Sequence, residues 1–149
     1  MSDLPAKTSM AQTPRPSFTN IHITQIVGYR MPLAAVVSIL HRISGGVMFL
    51  LLPLIVWLFD TSLSSEVSYE RFVAAFDTGI GFVPGIVVKL VVLGLIWAYL
   101  HHFTAGLRHV RMDVTHATTK AQGRRSAAFT LVFSLVLTVL LGAKLFGVY

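Results

Sequence analysis

Two apolar stretches of this chain carry side chains able to do chemistry. Between Tyr99 and His109 stand His101, His102, Arg108 and His109, with Asp113 four residues further on; between Ala34 and Phe59 stand Ser38, His41 and Arg42. Ionisable groups inside an apolar run are costly in lipid and are kept for a ligand, an ion path or a partner. Ser38 and Arg42 are four residues apart and share a helix face, so a hydroxyl and a guanidinium converge there. Such a pair can donate hydrogen bonds to one small polar head group, such as a quinone carbonyl, while apolar flanks hold its tail. It can equally be an arginine reaching lipid phosphate beside a serine bonded to its own backbone.

The histidines pose a parallel choice. Gly94, Ala98, His102 and Gly106 recur every four residues, a stripe of small side chains with one imidazole in it. Small residues admit a neighbouring helix backbone. They also admit a flat macrocycle with His102 as axial ligand. His101 points about 100° away, beside Trp97 and Ala105. Haem ligation by one of the pair, a hydrogen bond between helices and a proton path all remain open on spacing alone. His41, Arg42, Arg108 and His109 suit haem propionates or anionic lipid heads near the membrane rim. Asp113 opposes the dipole at a helix C-terminus; a nearby arginine such as Arg111, a proton-transfer role or plain solvation would each account for it.

These groups need a scaffold, and composition states which kind. The chain has 149 residues, 54% hydrophobic and 12% charged, with a mean hydropathy of +0.73, which describes one integral membrane domain. Cysteine is absent, which excludes disulfides, thiolate zinc, iron–sulfur ligation and covalent haem attachment. A redox centre on this chain must therefore use histidine, methionine or oxygen ligands. The net charge of +6 is spread over loops between apolar runs, which reads as topology, and nucleic acid is set aside as a partner. The first 31 residues lack the apolar core of a cleavable signal and contain Pro5, Pro14 and Pro16. They are expected to form a retained polar arm at the membrane surface.

Three runs are long enough for the roughly 20 residues of a membrane-crossing helix. They cover about 34–59, with Pro53 inside, about 85–112, and about 127–146. Residues 60–81 form a loop with room for a short surface helix near 66–76. The expected fold is thus an all-α membrane protein of three transmembrane helices: an arm over 1–33 and a three-helix anchor over 34–149. Lys7, Arg15 and Arg30 before the first span, and Arg108, Arg111, Lys120, Arg124 and Arg125 around the second connection, outnumber the basic residues of the other side. By the positive-inside rule the N-terminus is cytoplasmic and the C-terminus opposite. Arg42 and His102 then lie roughly 12 and 16 Å from the same face, at similar depth. His22 and Gln25 read as solvated or partner-docking residues, His116, Lys120, Arg124 and Arg125 as surface topology signals, and Lys89 and Lys144 as snorkelling cations.

Two ordered motifs carry a resemblance that spans all three helices. Arg15-Pro16, then Ser38-Ile39-Leu40-His41-Arg42-Ile43-Ser44-Gly45, followed by His102, Gly106-Leu107-Arg108-His109 and Asp113, resemble the succinate dehydrogenase cytochrome b556 family of membrane anchors. The resemblance implies a three-helix subunit that is not catalytic alone. It pairs with a second small membrane anchor subunit and docks an iron–sulfur subunit and a flavoprotein subunit on the cytoplasmic side of a bacterial inner membrane, or the matrix side in mitochondria. Electrons from succinate would reach ubiquinone there. Residue by residue, Ser38 and Arg42 match ubiquinone-site positions and His102 matches the axial ligand of haem b, the other ligand coming from the second anchor. His41, Arg108 and His109 fall near the haem propionates, and Asp113 matches a proton-uptake carboxylate. His101, beside the ligand, departs from the common pattern. Two alternatives stand beside this reading. One is a b-type cytochrome anchor of another quinone-linked enzyme, such as a fumarate reductase or formate dehydrogenase. The other is a non-redox assembly or transport subunit whose histidines only hydrogen-bond between helices.

Overall fold

The structure is a computed structural model that describes residues 28–116 and 119–149, with His22, Thr24 and Gln25. Lys7, Arg15, Pro5, Pro14 and Pro16 lie outside the described residues. Within the arm, the His22 N–H donates to Gln25 Oε1 at 3.2 Å and His22 Nδ1 lies 2.9 Å from Thr24 Oγ1, a local turn.

Four helices follow: α1 (Leu33–Ser64), α2 (Glu66–Asp77), α3 (Gly85–Thr115) and α4 (Lys120–Leu145). Pro32 and Pro84 stand in extended conformation just before α1 and α3, where a missing N–H costs nothing. Three of the helices, α1, α3 and α4, are long and apolar enough to cross a membrane. The short loop helix is also present: Ser65 accepts from the Ser68 N–H and Ser68 Oγ accepts from the Ser65 N–H, which starts α2 where the apolar run ends. Lys89, in the second turn of α3, reaches back to Asp77 at the end of α2, 3.3 Å away.

Each spanning helix is longer than its apolar run. α1 continues to Ser64 with Thr61, Ser62 and Ser64 donating to carbonyls three or four residues back. The largest difference is in α4, which begins at Lys120 and not near 127. There Thr119 Oγ1 accepts from the Gln122 N–H while Gln122 Oε1 accepts from the Thr119 N–H. This reciprocal cap starts the helix in the basic segment, so Lys120, Arg124 and Arg125 ride on its first turns. α3 ends at His116, which takes the left-handed conformation at φ 51°.

The helices pack with α3 against both α1 and α4, and α1 also touches α4. Their shared interior is small-featured: Val37, Ala105 and Ala127 are buried together, with Leu33, Ala34 and Leu131 around them. The other buried residues are largely polar, including Ser44, His101, Thr104, Arg108, Thr130, Ser134 and Thr138. Large apolar side chains face outward, with Phe49 75% and Leu50 77% exposed. That inversion suits a lipid surround, where small and hydroxyl-bearing residues let helices approach and bulky apolar ones meet acyl chains. The protein is a multi-pass membrane protein.

Candidate functional site

The site grows from one close approach between α1 and α3. The His102 imidazole lies against the backbone of α1 at Gly45, where an added Cβ would come within 2.6 Å of His102 Cε1 and 3.0 Å of Nδ1. Only glycine leaves room for the ring. His102 Nδ1 is 3.0 Å from the His41 carbonyl oxygen. A carbonyl can only accept, so Nδ1 carries the proton and Nε2 of the neutral ring keeps its lone pair. A backbone carbonyl that fixes one ring nitrogen this way is the usual support of a metal-ligating histidine. Ser44 Oγ donates to the same carbonyl at 3.0 Å and lies 3.5 Å from His102 Nδ1.

Further along the seam the imidazoles stack. The His41 ring lies 4.2 Å from that of His102 at 16° between planes, and 5.3 Å from that of His109 at 45°. Gly106 borders this stack, and a Cβ there would meet His41 Nε2 at 3.7 Å, an ordinary van der Waals contact. Three of the residues singled out in the sequence, His41, His102 and His109, are thus brought together by two helices. His102 stands level with the turn that carries His41 and Arg42.

Ser38 and Arg42 each follow a seam residue, Val37 and His41, by one position, so they lie about 100° round α1 from the seam. Ser38 is half-buried and Arg42 exposed. Arg42 makes no ion pair or hydrogen bond among the described residues, which leaves its donors available on the flank of the histidine stack. Asp113 is exposed, four residues beyond His109 on the same side of α3. Arg111, considered as its partner, forms no ion pair with it in this structure.

The structure separates two other residues from this group. Arg108 does not join His41 and His109: it is only 7% exposed and its Nε donates to Ser126 Oγ of α4 at 2.9 Å. Six residues after His102, it stands about 120° round the helix, on the face that packs against α4. His101 is 0% exposed, stacked on Trp97 with ring centroids 5.2 Å apart. Neither of its nitrogens makes a hydrogen bond of good geometry with a described residue, nor does Trp97 Nε1. The ring is enclosed by protein, with no open side for a flat ligand.

Gly45 stands in the sequence motif without a role of its own, and Ser126 lies outside the motifs. The signal for Gly45 was the short Ser44-Gly45-Gly46 run inside an otherwise bulky helix. For Ser126 it was the recurrence of Ser126, Thr130, Ser134, Thr138 and Gly142 at every fourth position of α4, all but the first fully buried against the other helices.

The chain is similar to known proteins. Residues 21–141 match the family described as succinate dehydrogenase/fumarate reductase transmembrane subunit. The succinate dehydrogenase cytochrome b556 subunit of Coxiella burnetii is 34% identical over 124 residues, 83% of this chain and 91% of that protein. The subunit of the same name from Paracoccus denitrificans is 30% identical over 112 residues, 75% of this chain and 81% of its own length. That of Rickettsia felis is 22% identical over 113 residues, 76% and 82% of the two chains. With its three apolar helices and a match across most of its length, the chain belongs to the succinate dehydrogenase/fumarate reductase transmembrane subunit family, alongside the cytochrome b556 subunits.

Proposed function

We propose that this chain is the haem b-bearing anchor of a succinate:ubiquinone oxidoreductase in a bacterial inner membrane and forms part of its quinone-reduction site. The observation that carries this is the His102 geometry: Nδ1–H held by the His41 carbonyl, the ring seated on Gly45, and Nε2 left as a lone pair. Those features fit a neutral histidine that would hold haem iron through Nε2. His101, with the same chemistry one residue away, is enclosed against Trp97, which supports His102 as the ligand. One ligand from this chain leaves the second to the small partner anchor. When bound, haem b supplies a one-electron redox couple beside the quinone.

The chain's own residues do the binding and orienting. His41, stacked on His102, and His109, tilted against His41, would supply hydrogen-bonding groups to haem propionates. Ser38 and Arg42 donate to ubiquinone carbonyl oxygens from the flank of that seam. The Arg42 guanidinium favours the oxygen as negative charge builds on it during reduction, and Ser38 sets the angle of approach. Asp113, exposed beyond His109, passes protons from the aqueous side toward that oxygen. The basic residues of the α3–α4 connection face the cytoplasm, where the iron–sulfur and flavoprotein subunits dock. The names of the relatives support succinate as the electron donor of the assembled enzyme.

The test separates quinone chemistry from succinate chemistry in the purified complex. Ser38→Ala and Arg42→Ala each remove one donor, and a donor with a charged partner is worth about 1.5–3 kcal/mol, or roughly 10- to 100-fold. Succinate:ubiquinone turnover should fall by that factor while succinate oxidation with an artificial acceptor holds. Unchanged ubiquinone turnover in both variants would overturn the quinone assignment.

A further inference from the structure

Away from the histidine seam, α3 and α4 enclose a cleft of about 740 Å³. Its walls are apolar: Phe103 and Leu107 on α3, Phe129 and Phe133 on α4, the last two stacked with centroids 5.4 Å apart and 15° between planes. One end is different. Arg108, Arg111 and Arg125 line it, together with Gln122, next to the α3–α4 connection. Among the described residues no carboxylate pairs with any of these three guanidiniums. Arg108 is more than nine-tenths buried, and its one hydrogen bond, from Nε to Ser126, leaves its terminal amino groups without an acceptor.

Three unpaired guanidiniums at the head of a greasy slot define their occupant. A buried cation costs several kcal/mol unless an anion or hydrogen-bond acceptor meets it. A quinone is neutral at the head and leaves three charges uncompensated. A transmembrane helix, about 10 Å across, presents apolar side chains at this depth. A phospholipid of net negative charge supplies both parts, a phosphate for the planar donors and acyl chains for the aromatic walls. We propose that the α3–α4 cleft seats one acidic phospholipid, its phosphate held by Arg108, Arg111 and Arg125. Its acyl chains lie along Phe103, Leu107, Phe129 and Phe133. Arg108 is the deep donor, aimed by Ser126, while Arg111 and Arg125 close over the phosphate from the rim. The site stands apart from the haem and quinone assignments and depends only on the chain being in a membrane.

Two measurements on the intact complex test it. The complex is purified in mild detergent, supplied with phosphatidylglycerol or phosphatidylcholine of matched chains, and weighed by native mass spectrometry. It should retain one phosphatidylglycerol per copy of this chain at least tenfold more strongly than phosphatidylcholine. The Arg111→Gln/Arg125→Gln variant should lose that preference while keeping its haem absorption. Equal retention of the two lipids, or an undiminished preference in the variant, would overturn the proposal. Because the double variant could fail to assemble, a photoreactive benzoylphenylalanine replacing exposed Phe129 gives an independent reading in native membranes. A covalent adduct with acidic phospholipid is expected. A cross-link to another polypeptide would show that a neighbouring subunit covers the cleft, and that result or the absence of a lipid adduct would overturn the site.

Discussion

Helix α3 carries two polar faces that look alike in composition and differ in what surrounds them. Toward α1 it presents His102, Gly106 and His109; toward α4 it presents Thr104 and Arg108, with His101 buried in the interior against Trp97. On the first face His102 has one nitrogen fixed and the other available, over a glycine that opens space. On the second, Arg108 is tied to Ser126, and between the two His101 is sealed. A buried polar side chain therefore says little by itself. Whether it is a ligand-binding or a packing residue depends on whether an atom is oriented and left open, as on the α1 side, or enclosed, as His101 is.

The sharpest way to break this contrast is at Gly45. A methyl there would sit 2.6 Å from His102 Cε1, so Gly45→Ala should push the imidazole out of place and strip most of the haem from the purified complex, read as pyridine haemochrome per flavin. The substitution favours the helix itself by up to about 1 kcal/mol, so loss of haem would not come from α1 unwinding. Gly46→Ala is the control: nothing lies within 4 Å of its Cβ, and haem content should be unchanged. The α4 side should respond differently. Ser126→Ala removes the acceptor of the buried Arg108, at a cost of about 1–3 kcal/mol, and should lower the thermal midpoint of the complex by a few degrees with an unaltered haem spectrum. Smallest of all should be Gly106→Ala, whose Cβ would meet His41 Nε2 at 3.7 Å, an ordinary contact; the haem band should stay within measurement error of wild type.

Much of the scaffold was readable from hydropathy, because a bilayer demands long uninterrupted apolar runs and the three here are well separated. The ends were not. Hydropathy sees Lys120, Arg124 and Arg125 as loop, whereas the local Thr119–Gln122 cap starts a helix regardless of how polar its first turns are. In the site, the four-residue stripe through Gly94, Ala98, His102 and Gly106 marked the face of α3 on which His102 and Gly106 meet α1, and the 100° offset of His101 was equally legible. Rise per residue gave the common depth of His102 and Arg42 but not which faces of α1 and α3 meet, so the pairing of His102 with Gly45 had to come from packing. Arg108 is the instructive miss. Proximity to His109 in sequence grouped it with the histidines, although a count of six residues from His102 already turns it toward α4. Asp113 shows the converse: its place on the histidine side follows from helical register, and of the accounts open to it in the sequence the ion pair with Arg111 does not form.

The open and the enclosed histidine are separated most directly by the reduced-minus-oxidised absorption spectrum of the purified complex in two variants. His102→Ala should lose the b-type α band, and His101→Leu, which keeps the enclosed volume filled, should retain it at wild-type intensity. A band that survives in His102→Ala and disappears in His101→Leu would contradict the assignment of His102 as the haem ligand.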